Sequence, residues 1–111
     1  MEYSIRAVRL YKRLQECKDG AAWIVGKQYL RAATSIGANL LEAQAGESRR
    51  DFVHKCSIAQ KEARESKYWL TLLRRASLAT PDQLDDLIDE TDQIIAILTT
   101  IIVNTKRATE Y

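Results

Sequence analysis

Apolar residues recur at every third or fourth position along most of this chain, which is the spacing of one face of an α-helix. The pattern is cleanest from about residue 81 to 106, where it follows a heptad. Its members are Leu84, Leu87, Ile88, Thr91, Ile94, Ile95, Leu98, Ile101, Ile102 and Thr105. With one proline and four glycines in 111 residues, the chain has little of the turn chemistry that a β-fold needs. We therefore predict an all-α protein.

Three breaks divide the helical pattern. Gly20 is expected to stop the first helix, Ser48 with Asp51 forms a capping pair before the third, and Thr80 followed by Pro81 begins the fourth. The predicted helices lie at about 3–17, 21–45, 49–77 and 81–106. Four amphipathic helices with short connections predict a single domain, 1–111, folded as an antiparallel up-down four-helix bundle.

The cysteines and the longest apolar run indicate where such a chain resides. Cys17 and Cys56 each fall on an apolar helical stripe, so both are predicted to be reduced core residues of a cytoplasmic protein. The run at 94–103 has ten residues, half the length of a membrane span. The first residues lack the apolar stretch of a signal peptide. We expect no membrane segment and a cytoplasmic location.

Charge is distributed unevenly along the sequence. Residues 1–81 hold 15 lysines and arginines against 8 acidic residues, a net charge of +7, whereas residues 82–111 carry a net charge of −5. A small protein polarised in this way tends to meet either a partner of opposite sign or a second copy of itself, head to tail.

A polar line interrupts the second predicted helix, which is otherwise poor in charge. Arg31, Ser35, Asn39 and Glu42 share one face, since they are spaced three or four residues apart. On the third predicted helix, Glu62, Glu65 and Trp69 lie on an apolar flank. Arg31 is expected to pair with one of these carboxylates. The seven residues form either a structural polar network or a subunit interface, the alternative being an ordinary solvated stripe.

The outer arc of the third helix carries cations and no acid. Its members are Arg50, Lys61, Arg64, Lys67 and Arg75, interleaved with Tyr68, Gln60 and Thr71. Arg6, Arg9, Lys12 and Arg13 form a similar face on the first helix. Lysine and arginine displace counterions from nucleic-acid backbones and tyrosine can stack, so these residues are candidates for contacting RNA or DNA. The alternative is a solvated basic face that balances the acidic fourth helix.

The chain offers poor material for catalysis or for metal binding. His54 is the single histidine, and neither a nucleophile with an adjacent base nor a glycine-rich phosphate loop is present. Glu42, Glu62 and Glu65 could hold a cation, but as a poor ligand set. We expect no enzymatic activity, no metal and no cofactor.

The stretch from 31 to 73 resembles a four-helix-bundle family, the 23S rRNA intervening-sequence proteins. The same family includes the accessory variability determinant proteins of diversity-generating retroelements. The matching residues are Arg31, Ala32, Ser35, Ile36, Asn39, Glu42, Ser48, Phe52, Ala59, Glu62, Glu65 and Trp69. Gly37 stands where proline is frequent in this family.

The resemblance implies a bacterial or phage protein without known enzymatic activity that assembles into a ring-like homopentamer. The accessory branch of the family is basic, binds nucleic acid and partners a reverse transcriptase. The resulting expectation is a homo-oligomeric bundle that binds RNA or DNA through a basic surface, as an accessory to a reverse transcriptase or to a ribosomal-RNA-associated process. The alternative is a protein–protein adaptor or scaffold without nucleic-acid contact.

Overall fold

Four helices run the length of the structure, a computed structural model that describes residues 1–46 and 48–109. They are α1 (Glu2–Gln15), α2 (Gly20–Gln44), α3 (Arg49–Arg75) and α4 (Pro81–Thr109). The described part of the chain contains no β-strand and measures 55 × 21 × 19 Å. The predicted all-α fold and its four helices are confirmed.

Cross-helix contacts show that the neighbouring helices are antiparallel. Between α3 and α4, Lys67 Nζ lies 2.7 Å from Asp92 Oδ1, and Arg74 Nε lies 2.7 Å from Asp85 Oδ1. The later residue of α3 thus meets the earlier residue of α4, as an up-down bundle requires.

Close approach between α1 and α2 depends on a glycine. A Cβ atom at Gly26 would lie 2.7 Å from Leu14 Cδ1, closer than real Cβ contacts allow. At the other end of α1, Ser4 lies beside Gly37. α1 is therefore antiparallel to α2 and covers it only as far as Gly37.

Two of the predicted helix starts are confirmed by their caps. Ser48 Oγ accepts a hydrogen bond of 3.1 Å from the Asp51 backbone N–H at the start of α3. Before α4, the Thr80 backbone N–H donates to Gln83 Oε1 at 3.0 Å. Both caps satisfy N–H groups that the first helical turn leaves without partners.

The prediction that Gly20 stops the first helix is wrong. Gly20 is the first residue of α2, and the Asp19 carboxylate caps that helix by accepting from the Ala21 N–H at 2.9 Å. α1 already ends at Gln15, so Cys17 is exposed and is not the core residue that its apolar stripe predicted. Cys56, in contrast, is buried as expected.

A layer of four hydroxyl groups, one from each helix, lies in the middle of the bundle. Its members are Tyr3, Tyr29, Ser66 and Thr91, all classed as buried. Thr91 Oγ1 donates to the Leu87 carbonyl at 2.6 Å, and it therefore accepts its 2.6 Å bond from Tyr3. The Tyr29 hydroxyl has no hydrogen-bond partner within residues 1–46 and 48–109, although the Tyr29 ring packs edge-on against Tyr3 with centroids 6.5 Å apart. Burial raises the pKa of both tyrosines.

The first helix is much shorter than the other three. α1 has 14 residues, whereas α2, α3 and α4 have 25, 27 and 29. At 1.5 Å per residue, α1 is about 16–23 Å shorter than the other helices. Beyond Gly37 the bundle therefore consists of three helices, and their apolar faces there lack the cover that α1 supplies elsewhere.

Substitution of Tyr29 by phenylalanine should leave stability at pH 7 unchanged or raised, because it removes a buried hydroxyl that has no partner. Above pH 10, unfolded Tyr29 ionises while folded Tyr29 stays neutral. The wild type therefore loses stability from this residue by at most about 1.4 kcal/mol per pH unit, a loss that Tyr29→Phe abolishes.

Urea unfolding between pH 8 and 11 measures this difference. Tyr68→Phe is the matched control, since it removes the same atom from an exposed ring. Equal alkaline slopes for Tyr29→Phe and the wild type would contradict the prediction.

Candidate nucleic-acid interface

The surface of α3 divides into four strips, because this helix lies between α2 and α4 and diagonally opposite α1. One strip packs into the core and ends at Leu73. A second strip faces α2 and a third faces α4. The fourth points away from the core.

The strip facing α4 consists of ion pairs and hydrogen bonds. Lys67 pairs with Asp92, and Arg74 pairs with Asp85. The predicted nucleic-acid residue Lys67 is thus already neutralised within the chain. On α1, Arg6 similarly forms an ion pair with Glu90.

The remaining cations of α1 also lie near the acidic start of α4. Arg9 and Arg13 line an open cleft together with Asp82 and Asp86, with a volume of about 310 Å³. Lys12 is exposed and does not line this cleft. The face predicted on α1 is therefore a mixed-charge surface rather than a basic one.

The fourth strip of α3, which we call the outer ridge, is basic and has no carboxylate. It consists of Arg50, His54, Lys61, Arg64, Tyr68 and Arg75, all exposed. Within residues 1–46 and 48–109, no ion pair involves any of its cations. Four of the five α3 residues predicted to contact nucleic acid lie on this ridge. From Arg50 to Arg75 it extends about 37 Å.

The strip facing α2 holds the predicted polar network in part. Arg31 bonds to Glu65 and lies 3.5 Å from the Glu62 carboxylate, Nη1 to Oε2. The Glu62 side chain is 15% exposed, and its Oε2 atom is buried without a hydrogen bond. Trp69 Nε1 donates to Glu65 Oε1 at 3.3 Å. The structure thus brings Arg31, Glu62, Glu65 and Trp69 together.

The other residues of the polar line make separate contacts. Asn39 Nδ2 donates to the Ser35 carbonyl at 2.9 Å and to the Ser35 hydroxyl at 3.1 Å, both within α2. Glu42 pairs with Lys55 of α3 at 2.6 Å. Sequence reasoning missed Lys55, although its alignment with Glu42 follows from the register that Arg31 and Glu62 set.

An apolar groove opens beyond the first residues of α1, between α2 and α4, with α3 as its floor. It has a volume of about 280 Å³ and is lined by Leu40, Ala43, Gln44, Phe52, Cys56, Ile94, Ile97, Leu98 and Ile101. Of the residues that line it, Ile97 has 58% of its surface exposed. Burial raises the pKa of the Cys56 thiol in its floor. The sequence already indicated this gap, because the first predicted helix is shorter than the other three.

Chemical sites are scarce in the described residues. Nowhere in 1–46 and 48–109 do three histidine, cysteine or acidic side chains come together to hold a metal ion. His54 is exposed on the outer ridge, without a hydrogen bond or ion pair to a described residue. No helix in the same residues is long and apolar enough to span a bilayer. The candidate binding surfaces are therefore the outer ridge and the apolar groove.

The fold and these surfaces define a small helical-bundle protein with one basic side. The sequence pattern of the 23S rRNA-intervening sequence protein family matches residues 1–100. The chain therefore belongs to this family, as the resemblance implied. No enzyme family is indicated by this match.

A solved structure is similar over nearly the whole length. It is a protein of unknown function from the S23 ribosomal protein family of Bacteroides thetaiotaomicron VPI-5482, with 42% sequence identity and a TM-score of 0.84. The match covers 91% of this chain and 92% of that protein. A comparison with curated proteins finds no match.

Replacing Arg31 by methionine should cost about 1–3 kcal/mol of unfolding free energy, because the largely buried Glu62 carboxylate loses its cation. Methionine keeps most of the apolar stem of the arginine, so packing changes little. Chemical denaturation measures the cost. Adding Glu62→Gln to this variant should restore much of the loss, and wild-type stability in Arg31→Met alone would mean that the strip is simply solvated.

Proposed function

We propose that this chain is a non-enzymatic, homo-oligomeric bundle protein of the cytoplasm that binds the backbone of RNA or DNA through the outer ridge of α3. One observation carries the nucleic-acid part. Arg50, Lys61, Arg64 and Arg75 have no ion-pair partner in the described structure, whereas Lys67 and Arg74 beside them are neutralised. The family's name associates it with ribosomal RNA, so an rRNA-associated process is the context we favour.

The physics of such a surface sets the kind of binding. Each cation that neutralises a phosphate releases counterions, so affinity falls steeply as salt rises. A row of flexible, exposed lysines and arginines fixes no base identity, because bases are read by hydrogen bonds in the grooves. Binding is therefore tolerant of sequence and acts through the backbone.

Reversing Lys61 and Arg64 to glutamate should weaken binding to every nucleic acid by at least about tenfold at moderate salt and lower the salt slope by about two. Fluorescence anisotropy with labelled RNA and DNA measures both. Lys18→Glu with Lys27→Glu is the matched control, since it makes the same change in net charge at exposed positions away from the ridge. The control should retain wild-type affinity.

The same titration can reject the proposal. Salt-independent binding, or equal losses in the two double variants, would show that the ridge is an ordinary solvated face. In that case the alternative function, a protein–protein adaptor, would take its place.

Self-association is the second part of the proposal, and the apolar groove supports it. The groove lies where a fourth helix is missing, and Ile97, which lines it, is 58% exposed. The charge polarity of the sequence gives less support, because Asp85, Glu90 and Asp92 pair with cations of the same chain. A homopentamer is the assembly implied by the resemblance.

Ile97→Lys should dissociate the assembly, because it places a charge in the groove. Ile24→Lys is the matched control: it makes the same change at an exposed isoleucine that does not line the groove. In sedimentation equilibrium at micromolar concentration, the wild type and the control should exceed the 12.7 kDa of one chain. A monomeric wild type would contradict self-association. The occupant of the groove would then be a different protein.

A protein partner is the competing use of the groove. An amphipathic helix of another protein could fill the place that α1 leaves open, which is the contact that an adaptor needs. A reverse transcriptase is the partner that the resemblance implies. Pull-down of a purified reverse transcriptase by the wild type but not by Ile97→Lys, together with a monomeric wild type, would favour this function.

A further inference from the structure

The outer ridge carries one aromatic ring among its cations. Tyr68 follows Arg64 by one helical turn and precedes Arg75 by two, so all three project from the same side of α3. Tyr68 is 61% exposed, whereas Leu70, two residues later on the core strip, is fully buried. Its ring thus presents a large apolar surface to solvent beside positive charge.

The Tyr68 ring is held in position by Trp69, which lies on the strip of α3 that faces α2. Trp69 meets it edge-on, with centroids 4.9 Å apart and planes at 75°. The Trp69 indole is itself bonded to Glu65, which pairs with Arg31 of α2. Each contact restrains the next, so Tyr68 is ordered before a ligand arrives and loses little conformational entropy on binding.

We propose that Tyr68 is a stacking platform for an unpaired base, and that the preferred ligand of the outer ridge is therefore single-stranded nucleic acid. The inference rests on the nucleic-acid binding proposed above and adds the ligand class. In a duplex each base face is covered by the neighbouring base pairs, so an exposed ring can stack only on a base that has left the helix. Lys61 and Arg64 then hold the adjacent phosphates.

The test compares three fluorescein-labelled 16-nucleotide probes: a single strand, the duplex of the same sequence, and a single strand in which every residue is abasic. The abasic strand keeps its phosphates but offers no base faces. The wild type should bind the intact single strand roughly tenfold more tightly than either other probe at the same salt.

Tyr68→Ala should lose that roughly tenfold preference and keep its weaker affinity for the duplex and the abasic strand. Tyr68→Phe keeps the ring and should behave as the wild type. Both substitutions are at an exposed position, and unchanged thermal unfolding checks that the fold is retained.

Two results would overturn the inference, and they differ in what else they remove. If the wild type binds all three probes equally and with salt dependence, Tyr68 is not a platform, but the ridge still binds nucleic acid. If the wild type binds none of the probes, the proposed nucleic-acid function fails as well. The adaptor function, with a protein as the ligand of the ridge, then replaces it.

Discussion

The antiparallel contact between α2 and α3 is the constraint on which the rest of the molecule depends. It places Arg31 opposite Glu62 and Glu65, and Glu42 opposite Lys55, so the middle and one end of the interface are fixed in one register. A helix with one face in the core and polar contacts on both flanks has one strip left for the outside. The outer ridge is that strip. It carries the residues of α3 that neither pack into the core nor contact α2 or α4.

Charge in this molecule is organised in space rather than along the chain. The acidic start of α4 gives the sequence its polarity, but α4 returns alongside α3 and approaches α1 through Arg6 and Glu90, so its carboxylates lie next to cations of both helices. Exposed ion pairs of this kind contribute little to stability, about 0–1 kcal/mol each. They also neutralise Lys67 and Arg74 beside the outer ridge, whose own cations have no ion-pair partner among residues 1–46 and 48–109.

Much of the fold could be predicted from the apolar period and the caps at Ser48 and Thr80, since both are local signals. The missed features depend on geometry between helices. Gly20 has no positive φ and begins α2, because Asp19 supplies a cap that a glycine stop does not anticipate. Tyr3 and Thr91 occupy apolar positions in the sequence pattern. Their 2.6 Å hydrogen bond depends on the tertiary fold, because the two residues are 88 positions apart in the sequence. At the site, pairing of Arg31 with the carboxylates was predicted, whereas the pairing of Lys67 requires knowing which flank faces α4.

The apolar groove and the outer ridge lie on opposite sides of the bundle. The groove opens between α2 and α4 on the side that α1 covers elsewhere, and α3 is diagonal to α1. Copies joined through the groove therefore leave every outer ridge facing solvent. Several weak backbone contacts held at fixed spacing on one assembly add through effective concentration, so a protomer with a net charge of only +2 can act as part of a strong polycation. Under the proposed function, assembly and nucleic-acid binding therefore use different surfaces, and assembly would increase the strength of binding.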